Sequence, residues 1–546
     1  TPNQPVDRAR PVSPLEYAPA ALPEELATHY RRGGYRSSVT LGSLMERNQH
    51  EFGVLPAVID GDTTLNWSEL IGLAARFGGF LHAHGIGPGD VVLWQLPNWW
   101  ESLAVAYGIW SAGAVSSPVV PIYREHELRQ VIQAVRPRCV VVPESFRGVD
   151  HVALVSDACS AVGHQPDLRV VLRGATTGWT TFDDATSGMP HIADNVDLDA
   201  PALVGFTSGT TSGAKGVAHS SASFISSGLR STRQAAYGWK DRVYMPAPLA
   251  HATGLLSAVA IPSFTGCSVV LRDRWDAEQA IDDIAAFGVT FSSGAAIFIQ
   301  ELLAALASRG QERLELSGYP CGGSTIPTSL ALAAEAVGMH PARSWGMTEC
   351  PGVTSSAPFE PKEIRCGTDG RIAPGCEVRV VDFDGKDLGP DQIGEFLIRG
   401  PQRALGYLSL EHTRDGFDDE GWFRTGDLGF LTAEGVLSMT GRSKEIINRG
   451  GEKISGREIE DLLAQHPGII EASVVPAPHP RLGEQPAAFI LSQGATPPTE
   501  KDLCDFLRGA GLAPQKIPGV WRHVEELPRT ASGKVKKYVL QAELAE

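Results

Sequence analysis

An apolar run, Leu203-Val-Gly-Phe206, leads directly into Thr207-Ser-Gly-Thr-Thr-Ser-Gly-Ala-Lys-Gly216, a loop of hydroxyl, glycine and cationic residues. This transition constrains the chain more than any other stretch. A strand that ends in such a loop suits a polyphosphate. Glycine lets backbone N–H groups approach, hydroxyls donate hydrogen bonds, and the lysine supplies charge. Thr207, Ser208, Gly209, Thr210, Thr211 and Lys215 are therefore candidate phosphate contacts. The loop is not a Walker A motif, because Lys215 is followed by Gly216 and not by serine or threonine.

The surrounding pattern predicts an α/β protein. Residues 68–84 carry Leu70, Leu73, Phe77 and Leu81 at helical spacing, followed by a Gly-Pro turn and the buried-strand pattern Val91-Val-Leu-Trp94. The same grammar recurs over 278–288 and 289–292. Residues 378–383 and 395–399 alternate as strands around a turn-rich segment, which predicts an antiparallel appendage. A boundary falls near 441–451, where charge and glycine separate apolar runs. Beyond it a helix over 457–465, strands over 471–475 and 487–491 and a helix over 500–508 predict one small α+β domain.

Composition narrows the function. The 546 residues exceed a single core, and 47 Lys+Arg against 63 Asp+Glu give a net charge of −16, so nucleic acid is not an expected partner. The eight cysteines form no C-x-x-C pair and read as reduced thiols. Residues 102–123 carry no charge, yet serines, glycine and prolines divide them into a helix and a strand, so no transmembrane segment is expected. The opening residues lack a signal-peptide pattern, which makes a cytoplasmic location the expectation. His82 and His84, two apart on a helix, face different directions and do not form a metal pair.

Further motifs follow in order: Pro248-Leu-Ala-His251 with Gly254, Gly322-Gly-Ser-Thr-Ile-Pro327, Ser344-Trp-Gly-Met-Thr-Glu349 and Gly394-Glu-Phe-Leu-Ile-Arg-Gly400 with Gly406-Tyr407. Trp422-Phe-Arg-Thr-Gly-Asp-Leu-Gly429, Gly441-Arg-Ser-Lys-Glu445 and Pro528-Arg-Thr-Ala-Ser-Gly-Lys534 complete the series. Together with the phosphate loop, this set resembles the acyl-adenylate-forming (AMP-binding) superfamily, on its acyl- and aryl-CoA synthetase branch. The pattern is most similar to cyclohexanecarboxylate-type and medium-chain acid:CoA ligases.

The resemblance implies a large N-terminal domain, 1–443, of two α/β subdomains plus a β-rich subdomain. A small mobile α+β domain, 444–546, would turn about a hinge near Lys444. It implies ATP, Mg²⁺ and coenzyme A, with a small carboxylic acid activated as an acyl-AMP and passed to the CoA thiol. Lys534 would stabilise the adenylation transition state, Thr348 would donate to the α-phosphate, and Glu349 would hold the metal. Gly322, Gly323, Ser324, Trp345 and Gly346 would frame adenine, while Asp427 and Arg442 would contact the ribose. His251, Gly254, Gly294, Ser344 and Met347 would border the acyl pocket. Lys444, Gly450 and Gly451 would form the hinge and the pantetheine channel.

Two positions depart from the family pattern. Ser212-Gly213-Ala214 replaces the usual Gly-x-Pro before Lys215, and Gly456 stands where proline is usual, which is expected to loosen the following helix. The same motifs would serve transfer to an amine or to a carrier-protein thiol in trans, diazotase-like activation of nitrite, or a nucleotide-binding relative without activity. The acid and the oligomeric state, monomer or dimer, are not encoded in these motifs.

Overall fold

The computed structural model describes residues 15–207, 215–323, 326–450, 452–494, 496–530 and 533–544. A nine-stranded sheet forms the first layer system. Within it Val91–Trp94 pairs in parallel with Val115–Pro118 on one side and Cys139–Pro143 on the other. Pro201–Thr207 joins this parallel block, and Lys215–Ser220 returns antiparallel beside it. A five-stranded sheet lies against the first. Arg242–Met245, Ser268–Leu271 and Pro56–Asp60 run parallel in it, and Thr63–Asn66 closes it as a hairpin edge.

Two helices sit where these sheets share a core. Trp67–Ala83 starts at Asn66, whose side chain accepts from Glu69 N while Glu69 reaches back to Asn66 N, a capping box. Trp100–Ser111 buries every residue after Trp100, as a helix covered on all sides must. Its neighbours in one continuous core include Val92 and Trp94 of the first sheet and Val58 and Val269 of the second. The uncharged stretch 102–123 is thus a buried helix followed by the strand Val115–Pro118. No helix among the described residues is long and apolar enough to cross a membrane.

A four-stranded antiparallel sheet, Glu377–Val381, Gly394–Arg399, Phe423–Leu431 and Leu437–Arg442, forms the expected appendage. The C-terminal part then builds a separate core from Ile447, Ile459, Leu463, Ile490, Leu503 and Trp521. Its frame is a long hairpin, Ile469–His479 with Gly483–Ser492, flanked by helices Gly456–Leu463 and Glu500–Gly509 and by the parallel strand Val520–Val524. Gly456 does not act as a loosened start. A Cβ there would lie 2.8 Å from the Val474 carbonyl oxygen, so glycine is what lets this helix pack on the hairpin.

Candidate functional site

Four backbone segments converge at one edge of the large domain. Thr207 ends its strand opposite Lys215, so the two ends of the phosphate loop are held as neighbours. Ser208, Gly209, Thr210 and Thr211 lie outside the described residues. Lys215 Nζ stands 5.7 Å over the ring of Tyr407. The strand Gly406–Tyr407 pairs with Lys215–Ser220, and Leu408 N donates to Gly216 O at 2.9 Å.

The second segment is a tight turn. Met347 and Cys350 exchange both backbone hydrogen bonds at 3.2 Å, placing Thr348 and Glu349 at its tip. The turn is anchored from two sides. His219 Nε2 donates to Thr348 O at 2.7 Å, and Ala404 N donates to Glu349 O at 2.8 Å. Burial lowers His219 to about 4, so it is a neutral imidazole that holds the backbone of this turn. Tyr407 Oη donates to Glu349 Oε1 at 2.5 Å. Burial and the Glu349 charge push the Tyr407 hydroxyl well above its ordinary value, so it stays a donor. Gly346 is required here: a Cβ would sit 2.3 Å from Gly352 N.

Third, Gly322 and Gly323 follow the strand Tyr319–Cys321. A Cβ on Gly322 would lie 2.5 Å from Ser344 O, and Gly323 adopts φ 79°. Gly322 N donates to Gly294 O at 3.3 Å, and Ser344 Oγ donates to Cys321 O at 3.2 Å, so Gly294, Gly322 and Ser344 form one contiguous wall. Ser324 lies outside the described residues. Nearby, His251 caps the helix Ala252–Leu255, which continues into a π-helical turn, Leu256–Ala260, of a kind common at functional sites. Gly254 packs onto Pro248 and Leu249 so closely that a Cβ would lie 2.2 Å from Pro248 O.

Fourth, Asp427 is 4% exposed, and both its oxygens are engaged. Trp345 Nε1 donates to Oδ2 at 2.8 Å, and Arg442 Nε lies 2.9 Å from Oδ1. The indole itself is buried and packs on Phe396 with ring centroids 5.1 Å apart.

The small domain completes the site. Thr530 N donates to Lys534 O at 2.8 Å, and Lys534 N donates to Thr530 Oγ1 at 3.1 Å, closing a turn with Gly533 at φ 84°. A Cβ on Gly533 would meet Ile297 of the large domain at 2.8 Å, so the tip docks on helix Ala296–Ser308. Lys534 Cε then lies 3.8 Å from the position a Gly323 Cβ would take. Burial, and next the like charge of Arg442, bring the Lys534 ammonium down to about 8, against the opposing pull of Asp427, Glu349 and Glu445. Burial and the Lys534 charge together hold His251 at about 4.

The structure thus gathers Lys534, Gly323, Glu349, Asp427, Arg442 and His251 into one neighbourhood. Lys444 is exposed in a 3₁₀ turn, Ser443–Glu445, and Gly450 N bonds to Leu482 O at 2.8 Å. Gly451 lies outside the described residues. Sequence reasoning did not single out His219 or the role of Tyr407, and it placed Ile297 within 293–298 as acyl-pocket lining, not as the seat of the Gly533 turn. Of His219 and Tyr407, only Tyr407 carried a signal, through its place in the Gly406-Tyr407 pair. Among the described residues no cluster of three metal-ligating side chains exists. A single carboxylate, Glu349, suits a hard cation held mainly by phosphate oxygens and water.

Comparison with known proteins gives the family and the fold. A family model described as AMP-binding enzyme matches residues 45–408, and one described as AMP-binding enzyme C-terminal domain matches 458–534. The medium-chain fatty-acid–CoA ligase of Escherichia coli (strain K12) is 32% identical over 535 residues, 95% of this chain and 93% of that protein. ATP-bound MatB from Rhodopseudomonas palustris superposes with a TM-score of 0.81 at 26% identity, covering 92% of this chain and 99% of that one. o-Succinylbenzoate CoA synthetase from Bacillus subtilis, in complex with its acyl-adenylate intermediate, gives 0.78 at 25% identity, covering 92% and 98%.

Proposed function

The chain belongs to the AMP-binding enzyme family, and from that premise we propose that it activates a medium-chain or alicyclic carboxylic acid, with Lys534 as its adenylation cation. It is an ATP-dependent acid ligase that forms an acyl-AMP with release of pyrophosphate and transfers the acyl group to a thiol, in our reading that of coenzyme A. One observation carries the residue assignment: the small domain's Lys534 is docked against Gly323, in the electrostatic field of Glu349, Asp427 and Arg442.

A carboxylate and ATP repel each other, and a free carboxylate is a poor electrophile. The protein's task is to hold the two anions in line and offset their charge. Lys215 and the phosphate loop would hold the polyphosphate, Asp427 and Arg442 the ribose, and Trp345 with Gly322 and Gly323 the adenine. Glu349 would hold Mg²⁺, which supplies further neutralisation of the phosphate oxygens. As the carboxylate oxygen bonds to the α-phosphorus and the bond to pyrophosphate breaks, Lys534 faces the charge that builds on the α-phosphate oxygens. Thr348, fixed by its own carbonyl bond to His219, would donate to the same oxygens. The acid would lie along His251, Gly254, Gly294, Ser344 and Met347.

In this arrangement Lys534 occupies the mouth through which a thiol must come. The small domain therefore turns about Lys444 after pyrophosphate leaves, and Gly450 with Gly451 lines the thiol's path. We further take the enzyme to act in the cytoplasm, with the thiol of a carrier protein in trans as the competing acyl acceptor. A panel of acids scored by pyrophosphate release, run with and without CoA, tests the reading. Acyl-CoA and AMP in equal amounts from a medium-chain or cyclohexane acid support it. AMP formation with acylation of an amine or carrier but never of CoA contradicts it.

A further inference from the structure

Away from this site, a cavity of about 130 Å³ opens between the N-terminal segment and the helix Ser221–Ala235, lined by Tyr35, Leu229, Arg230, Arg233, Gln234 and Pro374. Arg230 is 7% exposed, and its charge is not matched. Other buried arginines find carboxylates: Arg36 pairs with Asp199, Arg343 with Asp369, Arg365 with Glu335 and Arg457 with Asp369 and Asp461. Arg403 lies with its guanidinium 5.0 Å over the Phe417 ring. Among the described residues Arg230 has the Pro351 carbonyl, reached by Nη2 at 3.0 Å, and its Nε has no partner. The acidic groups that act on it among the described residues are the thiols of Cys350 and Cys376, which burial keeps protonated.

The cavity wall shows a second unfilled demand. Gln234 donates Nε2 to Ser355 O at 2.8 Å, and its buried Oε1 has no partner among the described residues. A buried cation without a counter-charge is costly, and the remedy is an anion that meets the guanidinium edge. Of the rest of the lining, Tyr35, Leu229 and Pro374 give a largely apolar surface, and Arg233 adds a second cation whose Nη1 donates to Gly34 O at 3.4 Å. The volume is near that which holds one benzene ring, roughly 150 Å³. We propose that this cavity is a binding site for a free small carboxylate, with Arg230 as its cation and the apolar lining receiving a short tail or ring. Gly352 is part of the construction. A Cβ there would come 2.6 Å from Arg230 Nη2, so only glycine lets the guanidinium lie against the backbone just beyond Glu349. Through Pro351, an occupant would also bear on the turn that presents Glu349.

The probe is sodium benzoate, titrated into the full chain without ATP at constant ionic strength, by calorimetry and thermal shift. Wild type, Arg230→Met and Arg230→Lys are compared. Any benzoate in the acyl pocket is common to all three and cancels in the comparison. The expected result is saturable uptake by wild type, at least tenfold weaker binding by Arg230→Met and an intermediate affinity for Arg230→Lys. Without benzoate, Arg230→Met should melt no lower than wild type, because relief of the buried, uncompensated charge offsets loss of its bond to Pro351 O. Equal benzoate binding by wild type and Arg230→Met would overturn the site. So would no uptake by wild type, uptake that appears only when ATP is present, or an Arg230→Met protein that melts several degrees lower without benzoate.

Discussion

In the proposed mechanism the Lys534 ammonium is the cation at the reacting site, and its burial among other charges makes pH a sharp perturbation. Burial and Arg442 bring it to about 8, and Asp427, Glu349 and Glu445 limit the fall. A lysine lowered in this way is charged below that value and loses its proton above it. Adenylation should therefore be flat in mildly acidic solution and decline as pH rises through about 8. At pH 9 about one Lys534 side chain in ten keeps its proton, so kcat/KM for ATP, which reports the free enzyme, should fall about tenfold. The assay is initial-rate pyrophosphate release from about pH 6 to about pH 10. Lys534→Arg should remove the alkaline limb, because a guanidinium stays charged throughout. The neighbours supply an internal check of sign. Arg442→Gln removes a like charge and should move the limb upward, while Asp427→Asn removes an opposite charge and should move it downward. A limb that persists in Lys534→Arg, or that moves the same way in both neighbour variants, would refute the assignment.

Three further outcomes follow from particular contacts. Tyr407→Phe keeps the ring beneath Lys215 but deletes the donor to Glu349; a hydrogen bond to a charged group is worth roughly 1.5–3 kcal/mol. The Mg²⁺ concentration for half-maximal pyrophosphate release should rise about tenfold or more, whereas an unchanged magnesium titration would count against the link. Trp345→Phe leaves Asp427 Oδ2 without its indole donor and should raise the KM for ATP about tenfold with little change in melting temperature, read by steady-state kinetics and calorimetry. Lys537 bridges Glu445 at 3.0 Å and Glu460 at 2.8 Å, and Lys537→Met leaves the two carboxylates facing each other. The C-terminal domain should lose about 2 kcal/mol, less than for a fully enclosed pair because Glu445 is partly exposed, seen as faster hydrogen exchange in Gly456–Leu463.

The layered fold was legible wherever local pattern and tertiary demand coincide. The helix expected over 68–84 is Trp67–Ala83, and that over 278–288 is Ala277–Phe287, started by Asp276 accepting from Gln279 N. The C-terminal hairpin was read too short. Pro476, Pro478 and Pro486 argue against a strand in isolation, yet Pro476 sits directly opposite Pro486 in a ladder that runs on to His479 and Gly483. In the site, motif order announced the residues but not their partners. The Trp345–Asp427 bond spans 82 residues and the Tyr407–Glu349 bond spans 58, and neither leaves a local trace. His219 was equally silent, since its work is done on the backbone of a turn far along the chain.

The account stands on a division of labour, in which one docked lysine serves the first half-reaction alone. The direct measurement compares wild type with Lys534→Ala in two assays: acid-dependent pyrophosphate release from ATP, and acyl-CoA formation from supplied acyl-AMP. The expected result is loss of the first by several orders of magnitude with the second kept within a few-fold of wild type. Equal loss in both assays, or adenylation that survives without the lysine, would contradict the account.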